Sequence, residues 1–274
     1  MSVRACFKVK REIPICAACL AIALAFASCA SVGGPSSSYQ AALSPAPAHS
    51  ILEVIDRMQA IDAALSDDDG LKWFNYLYLS TTKAVYAKST APDGFADPVW
   101  MDRLDVIFAN LYFDAVRNAD APELAAPAWR PLLRDRMRSR VARVQFALAG
   151  MNAHIDRDLV FALLEIYHQD GSAPDRESAH HADFIRIDQI LKDVQLQTQP
   201  ILLVGTPLEH GRHFAPLENL TARFSAKDTR HAAWDNSQIF WRWRDRPEAL
   251  KESLSSLDRA TEAGSSALLV PVLP

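Results

Sequence analysis

His154 and Asp158 stand four residues apart in the segment RVQFALAGMNAHIDRDLVFALLE, Arg143–Glu165. On a helix that spacing puts an imidazole and a carboxylate on one side. The carboxylate can orient the ring, or both groups can donate to a metal. The apolar stripe of the stretch runs through Val141, Val144, Leu148, Ile155, Leu159, Ala162 and Ile166, and His154, Asp158 and Glu165 border it. Ala147 and Gly150 lie on the same border, where small residues let a helix or a ligand approach closely. Asp105 falls in an inward row with Met101, Phe108, Tyr112 and Val116, and His180 and Asp183 flank the stripe Phe184, Ile187, Leu191 and Val194.

Carboxylates and histidines projecting inward from several helices are how helical bundles hold metals. The expected ligands are His154, Asp158, His180 and Asp105, around a divalent zinc, manganese or iron ion. Such an ion lowers the pKa of bound water, and Glu165 or Asp183 would take the proton, which suits hydrolysis of an ester or phosphoester. His-x-x-x-Asp is common by chance, and it lacks the glutamate base of His-Glu-x-x-His. A second reading makes the same residues a structural polar network. His154 then donates to Asp158, or Asp158 pairs with an arginine such as Arg186, and Tyr112 or a helix terminus satisfies Asp105. Asn75, Asn110 and Asn152 would extend that network, in a non-catalytic protein that binds an apolar ligand or an envelope partner. No Gly-x-Ser-x-Gly, glycine-rich phosphate loop or dinucleotide fingerprint is present.

The positioning elements read as an all-α, bundle-like single domain over residues 50–274. Ser50 and Glu53 form a capping-box pattern before the first apolar period. Asp67 to Asp69 supply the next cap, and Asp97-Pro98 starts a helix reaching about Arg117. Pro131 starts another, expected to run to about Tyr167 with a bend at Gly150. Pro174 and Asp175 introduce a helix through Val194, and Thr229 to Arg244 and Glu248 to Glu262 complete the set. Ile201 to Val204 is the one short β-like run. Gln199 to Asp228 reads as a long surface crossover or a lid. Trp234 and Trp241, seven apart, share a helical face, which favours packing over a lipid-contacting patch. Leu268 to Leu273 reads as an extended apolar strap.

The start of the chain is a targeting segment. Arg4, Lys8, Lys10 and Arg11 precede the apolar run Ile13 to Phe26, and Phe26-Ala27-Ser28-Cys29 resembles a bacterial lipobox, with Phe26 where leucine is usual. Residues 1–28 are then a lipoprotein-type signal, Cys29 is lipidated, and 29–49 form a flexible tether rich in Ser, Ala and Pro. Ordinary cleavage near Ala27 or Ala30 is the alternative. Ala30 lacks the aspartate that often retains lipoproteins at an inner membrane, so a host with two membranes would carry it on the periplasmic side of the outer one. All four cysteines fall at or before residue 29, which leaves the domain without disulfides. The net charge of −4 and the dispersed basic residues argue against a nucleic-acid partner.

Four blocks carry a family resemblance: GLKWFNYLYLSTTKAV, WMDRLDVIFANLYFDAV, ARVQFALAGMNAHIDRDL and ADFIRIDQIL. Together they resemble the bacterial DUF5995 family of unknown function. That resemblance implies a helical single domain and supplies no activity or ligand set. A weaker analogy is with zinc-dependent phospholipase C and its relatives, helical exported hydrolases that also use His-x-x-x-Asp. Their first metal ligand is a mature N-terminal tryptophan, whereas the expected N-terminus here is Cys29 on a tether.

Overall fold

Each of the first three helices begins where a side chain can satisfy its exposed N–H groups. In the computed structural model, which describes residues 46–273, Ser50 Oγ accepts the Glu53 N–H (3.2 Å) and opens α1, Ile51–Ala64. Asp69 accepts the Leu71 N–H (3.0 Å) and opens α2, Gly70–Ser89. Asp97 accepts the Trp100 N–H (2.9 Å) and opens α3, Pro98–Arg117, with Pro98 in the first turn. The expected signal segment, the expected acylation site Cys29 and the expected tether as far as residue 45 lie outside the described residues. Residues 46–49 are seated on the domain: Ala48 is buried and its N–H and C=O both bond the Asn110 amide, at 2.8 and 3.0 Å.

The single helix expected from Pro131 to Tyr167 is three pieces. A short α4, Arg130–Asp135, stops before a break. α5, Arg143–Met151, then passes through a π-helical stretch, Asn152–Asp158, into α6, Leu159–Asp170. The break holds Arg140 at φ 72°, a left-handed conformation that no α-helix continues through. Arg136 O also accepts the Gly70 N–H across the break, at 2.7 Å. The departure from α geometry thus comes after Gly150 rather than at it. Gly150 serves another purpose, since a Cβ there would lie 2.3 Å from the Phe74 ring of α2.

After α7, Ala179–Leu202, the expected crossover is largely helical: a 3-10 turn at Pro207–His210, then α8, Ala215–Arg223. The β-like run is the end of α7 and the turn after it, and no strand occurs among the described residues. α9, Ala226–Arg242, buries Trp234 against Tyr167 and Phe184, while Arg242, Arg244 and Arg246 are exposed, so the aromatic segment is packing. α10, Pro247–Leu268, leads into the expected strap, where Leu269 is buried and Gln145 Nε2 donates to the carbonyls of Leu268 (2.8 Å) and Val270 (2.7 Å).

Two apolar clusters form the core. One gathers α1, α2, α5 and the C-terminal half of α3. The other gathers the N-terminal half of α3 with α6, α7 and α9. Phe108 and Met151 touch both, and His154 lies against Phe108 at that seam.

Candidate functional site

The seam contains a cleft of about 90 Å³. α2 contributes Phe74, Leu77, Tyr78 and Thr81; α3 contributes Met101, Leu104, Asp105 and Phe108; the π stretch contributes His154 and Ile155. Phe184, Ile187, Leu191 and Gln195 of α7 and Arg230 of α9 also line it. Each set repeats at three- or four-residue steps, so amphipathic periodicity alone delivers these side chains to one place.

His154 is 2 % exposed and is held from one edge. Its Nδ1 lies 3.1 Å from Asp158 Oδ2. The same oxygen accepts the Trp129 Nε1–H at 2.8 Å, and Asp158 Oδ1 accepts Arg157 at 2.7 Å. Arg157 in turn donates to Asp258 at 2.8 Å. The imidazole stacks on Phe108, with centroids 3.5 Å apart and planes at 7°, and meets the Tyr78 ring edge-on at 4.5 Å. Burial holds its pKa below the ordinary histidine value, against the opposing pull of Asp158. The π stretch widens the turn that carries both residues, a distortion frequent where a helix serves a site.

Two polar atoms of cleft-lining residues have no hydrogen-bond partner, His154 Nε2 and Asp105 Oδ2, whereas the Tyr78 hydroxyl interacts with Thr82 beside it. Asp105 keeps partial accessibility yet is closely surrounded by protein. Burial, reinforced by the charge of Asp102, pushes its carboxyl up to about 7. Burial, with the charges of Asp105 and Asp158, holds the Tyr78 phenol well above its usual range.

The sequence model of the family of unknown function DUF5995 matches residues 51–271. The chain belongs to the DUF5995 family. No curated protein and no solved structure matches it. The match begins at the first residue of α1 and ends in the C-terminal strap, so the DUF5995 unit is the helical domain with its seam cleft.

Within this DUF5995 domain the expected metal ligands do not converge. Asp105 and His154 share the cleft. His180 is elsewhere, with Nε2 2.9 Å from Asp97 Oδ2 and its ring stacked on Trp100 at 4.5 Å. Asp183 is fully buried and accepts the backbone N–H groups of Ala96 (2.9 Å) and Asp97 (2.8 Å), so it fastens the entry to α3. Glu165 is exposed and accepts Gln169 at 2.9 Å. Asp158 faces Trp129 and Arg157 behind the imidazole. Among the described residues no group of three His, Cys, Asp or Glu side chains is placed to hold a metal ion. His154 and Asp158 share the π stretch, but Asp158 is taken by Trp129 and Arg157, and His180 on α7 is held away by Asp97 and Trp100.

The polar network is present with different partners. Asp158 pairs with Arg157, while Arg186 bonds Asp183 at 3.2 Å. Tyr112 donates to Asn75 Oδ1 (3.0 Å) rather than to Asp105, and Asn75 donates to Met58 O (3.0 Å). Asn152 ties the π stretch to α10 through Thr261 O and Ser265 Oγ, both at 2.9 Å. Sequence reasoning missed Tyr78, Trp129, Arg157 and Arg230. Tyr78 was findable, one helical turn from Phe74 on the inward face of α2. Trp129 lies before the interruption between α4 and α5 and carries no local signal.

Proposed function

We propose that this DUF5995 protein is an exported, lipid-anchored helical protein that binds a compact, mostly apolar small molecule in the seam cleft. The observation that carries the reading is the unpartnered Asp105 carboxyl oxygen in a mostly apolar wall that it shares with His154, whose Nε2 is also unpartnered. An unsatisfied buried polar group costs roughly 1–3 kcal/mol. Two of them around one cleft are a burden on folding that a bound molecule relieves. A metal-dependent hydrolase would need a ligand group that the described residues do not supply.

Export and anchoring rest on the basic front, the apolar run and Phe26-Ala27-Ser28-Cys29. Among the described residues no helix is long and apolar enough to cross a membrane, so attachment in this reading rests on the lipid at Cys29. Cys29→Ala is expected to move the protein from the membrane to the soluble fraction of the envelope; unchanged fractionation contradicts the anchor. For the cleft, toluene and related compact apolar probes are expected to bind saturably and raise the melting temperature. Leu104→Trp, which fills the cleft, should abolish both effects. Absence of saturable binding by any probe contradicts the reading.

A further inference from the structure

We propose that the molecule held in the seam cleft carries a hydroxyl group, which donates to His154 Nε2 and accepts from Asp105, so that the ligand class is a compact ring alcohol or phenol. This rests on the cleft-binding reading above and specifies what the cleft recognises.

The tautomer of His154 is set by its neighbours. Asp158 already accepts Trp129 on Oδ2 and Arg157 on Oδ1, and it is an acceptor toward all of them. The contact from His154 Nδ1 to Oδ2 is therefore a donation. A neutral imidazole protonated at Nδ1 has only a lone pair at Nε2. That atom is buried without a partner, so the cleft presents a fixed acceptor. Asp105 presents the complement: burial keeps its carboxyl protonated through mildly acidic pH, and its unpartnered oxygen can donate.

A hydroxyl group both donates and accepts, which matches one acceptor and one donor. A carboxylate ligand would meet the Nε2 lone pair and find no free charge, because the Arg230 guanidinium is engaged with Asp188 (3.3 Å) and Phe184 O (2.7 Å). An ammonium ligand only donates, so it would satisfy Nε2 and leave the protonated Asp105 carboxyl without an acceptor. The rings of Phe74, Tyr78 and Phe108 suit an aromatic or cyclic body. The cleft, about 90 Å³, is smaller than the ~150 Å³ cavity that encloses benzene. A ring therefore enters hydroxyl first, with part of its body at the mouth.

The test is calorimetric titration of the full-length chain carrying Cys29→Ser, at pH 6, with toluene, phenol, benzylamine and benzoate. Phenol is expected to bind about tenfold tighter than toluene, the scale of one buried hydrogen bond. Asp105→Leu, which removes a buried carboxyl, and His154→Gln are each expected to shrink that preference to within about twofold while toluene still binds. Toluene binding with no phenol preference overturns the hydroxyl and leaves cleft binding standing. A preference for benzylamine or benzoate overturns it in favour of a charged ligand. A phenol preference that survives both substitutions overturns the assignment of residues. No binding by toluene or phenol overturns the cleft reading itself. Because Asp105→Leu relieves a buried polar group, its result holds even where His154→Gln fails to fold.

Discussion

His154 and Trp129 meet on one oxygen: Asp158 Oδ2 lies 3.1 Å from His154 Nδ1 and 2.8 Å from Trp129 Nε1. With Arg157 on the other oxygen, a single carboxylate joins the 3-10 turn at Pro127–Trp129 to the π stretch and sets the imidazole tautomer.

Asp158→Asn is expected to destabilise the protein by about 3–5 kcal/mol, since it breaks a buried charged pair from one side. An amide cannot accept from Trp129, His154 and Arg157 together. If its NH₂ turns toward Nδ1, the imidazole proton moves to Nε2. Urea unfolding measures the first effect and ¹⁵N shifts of the His154 ring the second. A loss below about 1 kcal/mol would show that the carboxylate does not bear on the fold.

Asp105→Asn is expected to stabilise the empty protein, and more so at pH 8 than at pH 4. The carboxyl is raised from 3.8 to about 7 on folding, so between those values the native state binds more protons than the unfolded chain. Stability therefore falls as pH rises through that window, is unaffected by this group below about pH 4, and bears the full penalty above about pH 7. A rise of that size corresponds to at most about 4 kcal/mol. Melting curves of the wild type and variant should converge at acidic pH. Parallel curves across the range would place the raised carboxyl elsewhere.

The helix starts were legible because capping is local. Ser50, Asp69 and Asp97 act at the positions their spacing indicates. The inward faces of α2, α3 and α7 were legible for the same reason, since periodicity is a property of short windows. The π stretch was not, because an extra residue in one turn leaves the apolar pattern nearly intact and depends on tertiary contacts such as Asn152 to Thr261. Asp158 lies behind His154, held by Arg157 and, from outside the local pattern, by Trp129, so the pair was readable and its orientation was not. His180 and Asp183 misled for a related reason. Their partners, Asp97 and the Ala96 N–H, precede them by more than eighty residues.

Gly150→Ala is expected to cost about 1–3 kcal/mol, despite a helix-propensity gain of up to about 1 kcal/mol. The added Cβ would stand 2.3 Å from a Phe74 ring wedged among Tyr78, Tyr112 and Trp129, so the ring has nowhere to move. Phe74 also lines the cleft, so the variant should lose probe binding along with stability. A stabilised variant would mean that α2 and α5 slide apart freely.

Gln145→Leu tests whether the C-terminal strap is held by one side chain. Gln145 is completely buried, and its amide is fully used: Nε2 donates to the carbonyls of Leu268 and Val270, while Oε1 accepts the Ala142 N–H at 3.0 Å. Leucine matches its bulk and leaves two carbonyls and an N–H without partners, each worth roughly 1–3 kcal/mol when buried. The strap has a way to avoid that cost, because its carbonyls can reach water by lifting off. Its other ties include Arg140 Nε to Leu273 O at 3.1 Å, the Leu273 N–H to Arg140 O at 3.4 Å and the buried side chain of Leu269. Local release should therefore cost less than global unfolding. Hydrogen exchange is expected to rise at residues 269–273 in Gln145→Leu while α2 and α6 stay protected, and the overall loss should be about 2–3 kcal/mol. Exchange rising equally across α5 and the strap would show instead that the two unfold as one unit.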